Sequence, residues 1–191
     1  MRELRIHGRG GQGAVIASKL LAAALFKEEQ FVQSFPAFGV ERRGAPVAAF
    51  LRFSSGPILL RCEVTTPDDL IVLDPTLIGA VDVTAGLKDG GLILLNSERG
   101  AQGYPKLTAR FRVVCVDASG VAARHGLGSR TQPIVNTAIL GAFATASGLL
   151  SLTSVCEAIT EEVPFQADAN VAAAREAAAL CGAERREPEH V

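Results

Sequence analysis

Short apolar runs alternate along the chain with longer segments in which apolar residues recur every three or four positions. The runs have the length and composition of buried β-strands, and they cover residues 3–7, 30–35, 69–74, 90–96 and 112–117. Between the first two runs, residues 13–26 are rich in Ala and place Ile16, Leu20 and Ala23 on one helical face. We therefore expect the chain to begin with a strand, a helix and a second strand.

The second half of the chain shows mainly helical periodicity. A short helix is expected within residues 75–87, and further helices are predicted for residues 118–126, 134–148, 151–163 and 167–182. Asn136 is suited to cap the helix of residues 134–148, and Gly148 is suited to end it. Ser154 and Glu157 have capping-box spacing, although that helix can also start at Ser151.

Two further strand-like runs, residues 46–53 and 57–64, are separated by Ser-Ser-Gly, which predicts an antiparallel hairpin. Buried strands that alternate with helices indicate an α/β fold with a largely parallel sheet. We therefore expect a single three-layer domain with a mainly parallel sheet, one antiparallel hairpin and flanking helices. The domain is expected to span residues 1–182, and residues 183–191 form a charged tail that is expected to fray.

Composition narrows the class of protein. The chain has 191 residues, of which 48% are hydrophobic, which is enough for one sizeable core. Its 19 basic and 20 acidic residues give a net charge of −1, so bulk charge does not favour a nucleic-acid partner. The opening MRELRIHG lacks the apolar core of a secretory signal, and no uncharged apolar stretch reaches the ~18 residues of a membrane span. These features predict a cytoplasmic protein without a membrane span.

The cysteines and histidines do not have the spacing of metal ligands. Cys62, Cys115, Cys156 and Cys181 are far apart in the sequence, without a C-x-x-C pair, and His7, His125 and His190 are equally scattered. We therefore expect reduced, mostly buried thiols, and neither a metal ion nor an iron–sulfur cluster held by this chain alone.

A glycine loop follows the first predicted strand and opens the first predicted helix. Gly8, Gly10 and Gly13 satisfy G-x-G-x-x-G, which lets backbone N–H groups at a helix start attract an anion. A dinucleotide site also needs an acidic residue at the end of the second strand, and the run QFVQSFPAF ends without one. A Gly-Lys-Ser/Thr sequence is absent as well. The loop therefore indicates either an anion site or a tight turn that faces a partner.

A second unusual loop, FPAFGVERRGAPV, spans residues 35–47 and combines aromatic, charged and Pro residues. Arg side chains beside aromatic rings are common in interfaces and in contacts with phosphate. The alternative is a loop that folds back on its own core. The sequence contains no G-x-S-x-G or H-E-x-x-H motif and no Cys/His pair at catalytic spacing, which favours a component of a larger assembly.

Several segments together resemble one protein family. HGRGGQGAV, FPAFGVERRGAPVAAFLRF, DPTL, GLKDGGLILLN and PIVNTAILGAFA occur in this order within about residues 4–165. They are similar to the gamma subunit of pyruvate:ferredoxin oxidoreductase and, more widely, to the gamma component of 2-oxoacid:acceptor oxidoreductases.

The resemblance implies a required subunit of an enzyme. Members of the family oxidatively decarboxylate a 2-oxoacid with thiamine diphosphate, transfer the acyl group to coenzyme A and pass electrons through iron–sulfur clusters to ferredoxin. Alpha and beta subunits hold the thiamine cofactor with magnesium, and a delta subunit holds the clusters. The gamma chain bears neither and contributes no catalytic residue. This implies partnership with alpha, beta and delta subunits, and an isolated chain that is inactive.

The resemblance also directs attention to particular residues. Pyruvate is favoured by the loop ERRGAPV, while branched-chain, aryl-glyoxylate and 2-oxoglutarate substrates stay open because gamma chains can be shared. Candidate contacts with an anion, coenzyme A or a subunit are Gly8, Gly10, Gly11, Gln12 and Gly13. Candidate interface residues are Phe38, Glu41, Arg42, Arg43, Gly44, Asn136 and Thr137. A hypothesis of a different class is a free-standing nucleotide-binding or regulatory module.

Overall fold

The computed structural model describes residues 1–37, 44–129 and 132–184 of the chain. The strands are β1 (Arg2–Arg9), β2 (Phe31–Pro36), β3 (Pro46–Ser54), β4 (Asp69–Val72), β5 (Leu92–Asn96), β6 (Arg112–Val116), β7 (Gly128–Ser129) and β8 (Gln132–Pro133). The α-helices are α1 (Ala14–Lys27), α2 (Pro105–Thr108), α3 (Ala118–Arg124), α4 (Asn136–Ser147), α5 (Leu152–Glu162) and α6 (Ala167–Glu184). Short 3-10 helices cover Pro75–Gly79 and Ala101–Gly103.

A six-stranded sheet has the order β2-β3-β1-β4-β5-β6. Strands β1, β4, β5 and β6 are parallel, whereas β3 is antiparallel to both β1 and β2. The parallel strands β4 and β5 consist almost entirely of buried residues, as expected for strands covered on both faces. The predicted α/β class, with its mainly parallel sheet and its antiparallel hairpin, is confirmed.

The composition of that hairpin differs from the prediction. Its two strands are β2 and β3, and the run of residues 57–64 contains no strand. Strand β3 already pairs with β1 on one side and β2 on the other, so it has no free edge left for a further strand. Leu59 in that run is 88% exposed, although the residue types alone resemble a strand.

The two faces of the sheet carry different layers. The larger hydrophobic core joins one face to α1, α3, α4, α5 and α6, with Leu4, Ile6 and Leu51 among its fully buried members. On the opposite face, Leu70, Val72 and Ile93 pack with Leu107 and Phe111 at and beside α2. Successive strand side chains point to opposite faces, which explains why β1 contributes Leu4 and Ile6 to one core only.

At the ends of α4, the predicted amino-terminal cap is wrong and the predicted carboxyl-terminal cap is confirmed. Asn136 is the first residue of α4 and makes no capping bond, because the N-cap position belongs to Val135. Gly148 ends α4 in the left-handed region with φ 66°, as predicted. The alternative start of α5 is also confirmed, since the Ser151 hydroxyl accepts a hydrogen bond from the Ser154 N–H at 3.0 Å.

Helix α6 continues to Glu184, and residues 185–191 lie outside the described part of the chain, so the predicted boundary at residue 182 stays a prediction. Within residues 1–37, 44–129 and 132–184, no helix combines the length and apolar character needed to cross a membrane.

Candidate functional site at the glycine loop

The glycine loop lies where the direction of strand succession reverses. Strands β2 and β3 lie on one side of β1, where β3 pairs with it in antiparallel orientation. The later strands lie on the other side, where β4 pairs with β1 in parallel orientation. Open α/β sheets bind ligands at such a switch point, beyond the carboxyl ends of the strands. A cleft of about 650 Å³ lies there and is lined by Arg9, Gly10, Gly11, Gln12, Gly44, Leu73, Asp74, Pro75, Asn96, Ser119, Gly128, Ser129, Gln132, Pro133, Ile134 and Val135.

Two glycines of the loop have backbone conformations that other residues rarely adopt. Gly11 has φ +97° and Gly13 has φ +80°. A Cβ atom at Gly13 would lie 2.6 Å from Asn136 Nδ2, and one at Gly8 would lie 3.2 Å from Leu73 Cδ1. The absence of side chains at these positions therefore lets α1, β4 and the start of α4 approach the loop closely.

The structure brings Asn136 to the glycine loop, at the carboxyl ends of the strands. Asn136 is buried, and its Oδ1 atom has no hydrogen-bond partner among the described residues. Thr137 is also buried, and its hydroxyl donates a hydrogen bond to Asn170 Oδ1 at 2.7 Å. Asn136 therefore faces the loop, whereas Thr137 fastens the start of α4 to α6.

A polar cluster fixes the shape of the loop, and the sequence did not predict that its members, Gln12 among them, would meet. Arg9 Nε donates to Asp74 Oδ2 at 3.1 Å, and Gln12 Nε2 donates to the same oxygen at 3.0 Å. The Gln12 Oε1 atom accepts from the Arg9 backbone N–H at 2.7 Å, while Arg9 Nη2 donates to Thr76 Oγ1 at 2.7 Å. Asp74 lies two residues beyond the end of the buried strand β4. An acidic residue just after a buried strand was the sequence signal that could have identified it.

Asp74 is held as a carboxylate at this cluster. Its partial burial alone would raise its pKa, but hydrogen bonds from Thr76 and Gln12 and the charge of Arg9 together outweigh that effect and lower the pKa. The negative charge of Asp74 neutralises Arg9, so the guanidinium of Arg9 is largely occupied in organising the loop. The arrangement favours a rigid contact surface over a strongly cationic phosphate site.

The end of the second unusual loop is docked on the glycine loop. The Gly10 N–H donates to the Ala45 carbonyl at 2.9 Å, and the Gly44 N–H donates to the Gly10 carbonyl at 3.0 Å. Arg9 Nη1 also donates to the Gly44 carbonyl at 3.1 Å. The backbone groups of Gly10 are therefore used within the chain. Phe38, Glu41, Arg42 and Arg43 lie outside the described residues.

The amino terminus of α1 remains open beside this contact. Gly13 occupies the N-cap position, and α1 has no side-chain cap within the described part of the chain. Unpaired N–H groups at a helix start carry partial positive charge. Two apolar side chains are exposed close by, Ile16 in the first turn of α1 at 53% and the cleft residue Ile134 at 46%.

A second depression of about 430 Å³ continues the cleft along the strand ends. It is lined by Pro75, Thr76, Asn96, Ser97, Glu98, Arg99, Tyr104, Asp117 and Ser119, and it shares Pro75, Asn96 and Ser119 with the cleft. Asn96 Nδ2 donates to the Leu73 carbonyl at 2.8 Å and to Ser119 Oγ at 3.0 Å, which ties β5 to β4 and α3. Among the residues that the structure describes, no group of three or more His, Cys, Asp or Glu side chains could hold a metal ion.

Comparison with known proteins identifies the family to which these features correspond. The model of the family described as pyruvate ferredoxin/flavodoxin oxidoreductase matches residues 3–180. The pyruvate/ketoisovalerate oxidoreductases common subunit gamma of Thermococcus kodakarensis is 53% identical over 164 residues, which cover 84% of this chain and 86% of that protein. Pyruvate synthase subunit PorC of Methanosarcina barkeri is 50% identical over 159 residues, covering 83% of this chain and 85% of that protein.

A crystal structure supports the same relationship at the level of the fold. The pyruvate oxidoreductase subunit PORC of Thermotoga maritima superposes with a TM-score of 0.78 at 34% sequence identity. The superposition covers 93% of this chain and 95% of that subunit. The similarity therefore extends over nearly the whole length of both chains.

Proposed function

Because the chain belongs to the pyruvate ferredoxin/flavodoxin oxidoreductase family, we propose that it is the gamma subunit of a thiamine-diphosphate-dependent 2-oxoacid:ferredoxin oxidoreductase. Its relatives at about 50% identity are named as gamma or PorC subunits, and they match it along most of their length. These relatives confirm the prediction that the chain is a required subunit of an oxidoreductase complex.

The proposed complex oxidatively decarboxylates a 2-oxoacid to acyl-coenzyme A and carbon dioxide and reduces ferredoxin. Pyruvate is the proposed substrate because the names of the relatives include pyruvate, while the shared name pyruvate/ketoisovalerate keeps branched-chain 2-oxoacids as the alternative. Thiamine diphosphate, magnesium and iron–sulfur clusters are assigned to alpha, beta and delta subunits. The proposed location of this complex is the cytoplasm.

The glycine-loop face is the proposed contact with the catalytic subunits. The observation that carries this assignment is the exposure of two apolar side chains, Ile16 and Ile134, beside the glycine loop. The backbone groups of Gly10 and the side chains of Arg9 and Gln12 in this loop are already paired within the chain. Exposed apolar groups rimmed by polar residues are typical of protein interfaces. The residues assigned to the contact are Gly8, Gly10, Gly11, Gln12, Gly13, Gly44, Asn136 and Thr137, together with Phe38, Glu41, Arg42 and Arg43 of the adjoining loop.

A pair of matched substitutions tests the contact. Ile134→Asp introduces a charge at the cleft, and Phe26→Asp introduces the same charge at the far end of α1, where Phe26 is 71% exposed. Each chain is co-expressed with the other subunits, and assembly and ferredoxin reduction are measured. We expect Ile134→Asp to lower the yield of the complex by roughly tenfold or more, since a desolvated charge at an interface costs several kcal/mol, and Phe26→Asp to leave it unchanged.

The same experiment separates a subunit contact from a ligand contact. Full assembly of the Ile134→Asp complex with an increased KM for coenzyme A would assign the cleft to the coenzyme instead. Normal assembly with normal kinetics would remove the cleft from both roles. The substitution of Arg42 and Arg43 by Glu provides the corresponding test for the adjoining loop.

A free-standing nucleotide-binding module is the second candidate, and the uncapped start of α1 at the switch point favours it. The paired backbone of Gly10 and the absence of an acidic residue at the end of β2 argue against it. Calorimetric titration of the isolated chain with NAD, FAD, ATP and coenzyme A distinguishes the two. Tight binding by the lone chain, without co-purifying subunits, would favour the module.

A further inference from the structure

Cys62 differs from the other cysteines of the chain. Cys115, Cys156 and Cys181 are buried, whereas Cys62 is exposed in the segment that follows β3. Burial raises the pKa of the Cys156 thiol, which disfavours the reactive thiolate there. Cys62 lies beside strand β2 at one end of the strand order, separate from the glycine-loop cleft.

A buried arginine lies directly against the Cys62 sulfur. Arg52 on β3 is 1% exposed, and its Nη2 atom is 3.7 Å from Cys62 Sγ. Arg52 Nε donates to Glu3 Oε1 at 2.6 Å, and Nη2 also donates to the Glu63 carbonyl at 3.1 Å. The remaining Nη1 atom is buried and has no hydrogen-bond partner among the described residues. An unused donor of a buried cation therefore lies close to an exposed thiol, which is a suitable place for an acceptor or anion.

The thiol opens into a groove along the free edge of β2. A depression of about 700 Å³ is lined by Val32, Gln33, Ser34 and Phe35 and by Arg61, Cys62 and Glu63. Since alternate side chains of a strand point to opposite faces, four consecutive residues can line one groove only if it follows the edge of the strand. Such an edge presents unpaired backbone N–H and C=O groups. Gln33 Oε1 adds a buried acceptor that lacks a partner among the residues described.

We propose that Cys62 is a modification site that forms a reversible mixed disulfide with a small, anionic, peptide-like thiol delivered as its disulfide. The Cys62 thiolate attacks one sulfur of the incoming disulfide R–S–S–R, a new bond forms between Cys62 Sγ and that sulfur, and the original S–S bond breaks. The second half leaves as the thiolate R–S⁻ and takes up a proton from water. Cys62 is oxidised and the leaving half is reduced, so the exchange needs no further oxidant.

The surroundings of Cys62 explain the preference for this class of reagent. The Arg52 guanidinium, 3.7 Å from the Cys62 sulfur, and Arg61 beside the thiol supply positive charge for a carboxylate of the reagent. The open backbone groups of β2 pair with the peptide part of the adduct, as in strand addition. Arg52 is a positioning residue in this scheme, because it acts through the sulfur and the bound carboxylate.

Glutathione disulfide is the probe, and the neutral hydroxyethyl disulfide is its matched control. The full-length chain is incubated with each, and the adduct is followed by intact mass and located by peptide mapping. Rates are normalised to those of a short unstructured cysteine peptide. We expect a single adduct on Cys62, released by dithiothreitol, with a normalised rate for glutathione disulfide at least ~10 times that for hydroxyethyl disulfide.

Substitutions then separate recognition from simple exposure. Cys62→Ser is expected to abolish the adduct, while Arg61→Gln and Arg52→Lys are expected to remove most of the preference for the anionic disulfide. Arg61→Gln keeps the test valid if Arg52→Lys disturbs folding, since Arg61 is exposed. Equal normalised rates for both disulfides, or an adduct on Cys115, Cys156 or Cys181, would overturn the proposal.

Discussion

At the scale of single residues, two buried polar side chains on β1 lie on the face of the sheet opposite the larger core. Arg5 Nε donates to His7 Nε2 at 2.9 Å, and Arg5 Nη2 donates to the Val83 and Ala85 carbonyls. Burial, reinforced by the charge of Arg5, lowers the pKa of His7 from 6.5 to about 4. His7 is therefore a neutral acceptor at pH 7, and its role in the fold depends on remaining unprotonated.

This pair predicts a specific acid sensitivity. Below the unfolded pKa of 6.5 the unfolded chain protonates His7, whereas the folded chain resists protonation until about pH 4. Stability should therefore fall as the pH decreases from 6.5 to 4, by an amount on the order of 3 kcal/mol from His7 alone. Urea unfolding at a series of pH values measures this decrease in the free energy of unfolding. The variant His7→Gln should show a smaller decrease, because Gln keeps an acceptor for Arg5 but does not titrate. His125→Gln serves as the control. If both variants changed the slope of the free energy of unfolding against pH by the same amount, the assignment to His7 would be contradicted.

At the scale of elements, helices α4 and α6 pack with almost no space between their backbones. Thr137 bonds Asn170 near one end of the pair, and a Cβ atom at Gly141 would overlap the backbone oxygen of Ala174 in the middle. Near the other end, a Cβ atom at Gly182 would lie 3.8 Å from Thr145 Cγ2, which is ordinary van der Waals contact. Close approach is therefore required at Gly141 and not at Gly182.

The two glycines form a matched pair for a stability measurement. Gly141→Ala should destabilise the chain by about 2–3 kcal/mol, because a backbone oxygen cannot move aside without separating the helices. Gly182→Ala should stabilise it by roughly 0.5–1 kcal/mol through helix propensity. Thermal and urea unfolding of the isolated chain give both values. A loss of similar size for the two variants would mean that the α4–α6 interface does not depend on contact at Gly141.

At the scale of the whole molecule, the chain is one layered domain with a cleft at one end of its sheet. The charged groups of the cleft, Arg9 and Asp74, neutralise each other. Paired charges suit a contact surface for other subunits, which is the role proposed above for the glycine-loop face. The Thermococcus kodakarensis relative is named as a gamma subunit common to pyruvate and ketoisovalerate oxidoreductases.

The proposed function therefore predicts that the catalytic subunits set substrate preference. With this chain held constant, exchanging the catalytic subunits of a pyruvate enzyme for those of a ketoisovalerate enzyme should change the ratio of kcat/KM for pyruvate over 3-methyl-2-oxobutanoate by at least ~10-fold, the scale of discrimination by side-chain pockets. Exchanging only the gamma chain for a relative should change the ratio less than about twofold. A ratio that follows the gamma chain would contradict the division of roles.

The sequence determined most of the local structure. Periodicity predicted α1, α4, α5 and α6 and the buried strands β4, β5 and β6, because these signals come from neighbours within one or two turns or from alternation along a strand. The motifs also identified the family, and GRGGQG placed a tight turn between β1 and α1. Periodicity failed at residues 57–64, where the residue types suit a strand but no edge of β3 is free.

Only the tertiary structure decided which distant residues meet. It paired β2 with β3, and it placed the side chain of Asn136 against Gly13, where it does not cap a helix. It joined Arg9 and Gln12 to Asp74, which lies more than sixty residues away in the chain. It also placed the buried guanidinium of Arg52, whose Nη1 atom has no partner among the described residues, beside the thiol of Cys62. Contacts of this kind leave no local pattern, because their geometry depends on how the sheet orders its strands and on which helix covers each face. The glycine loop was therefore predictable as a turn, whereas the surface around it was determined by the packing of the whole domain.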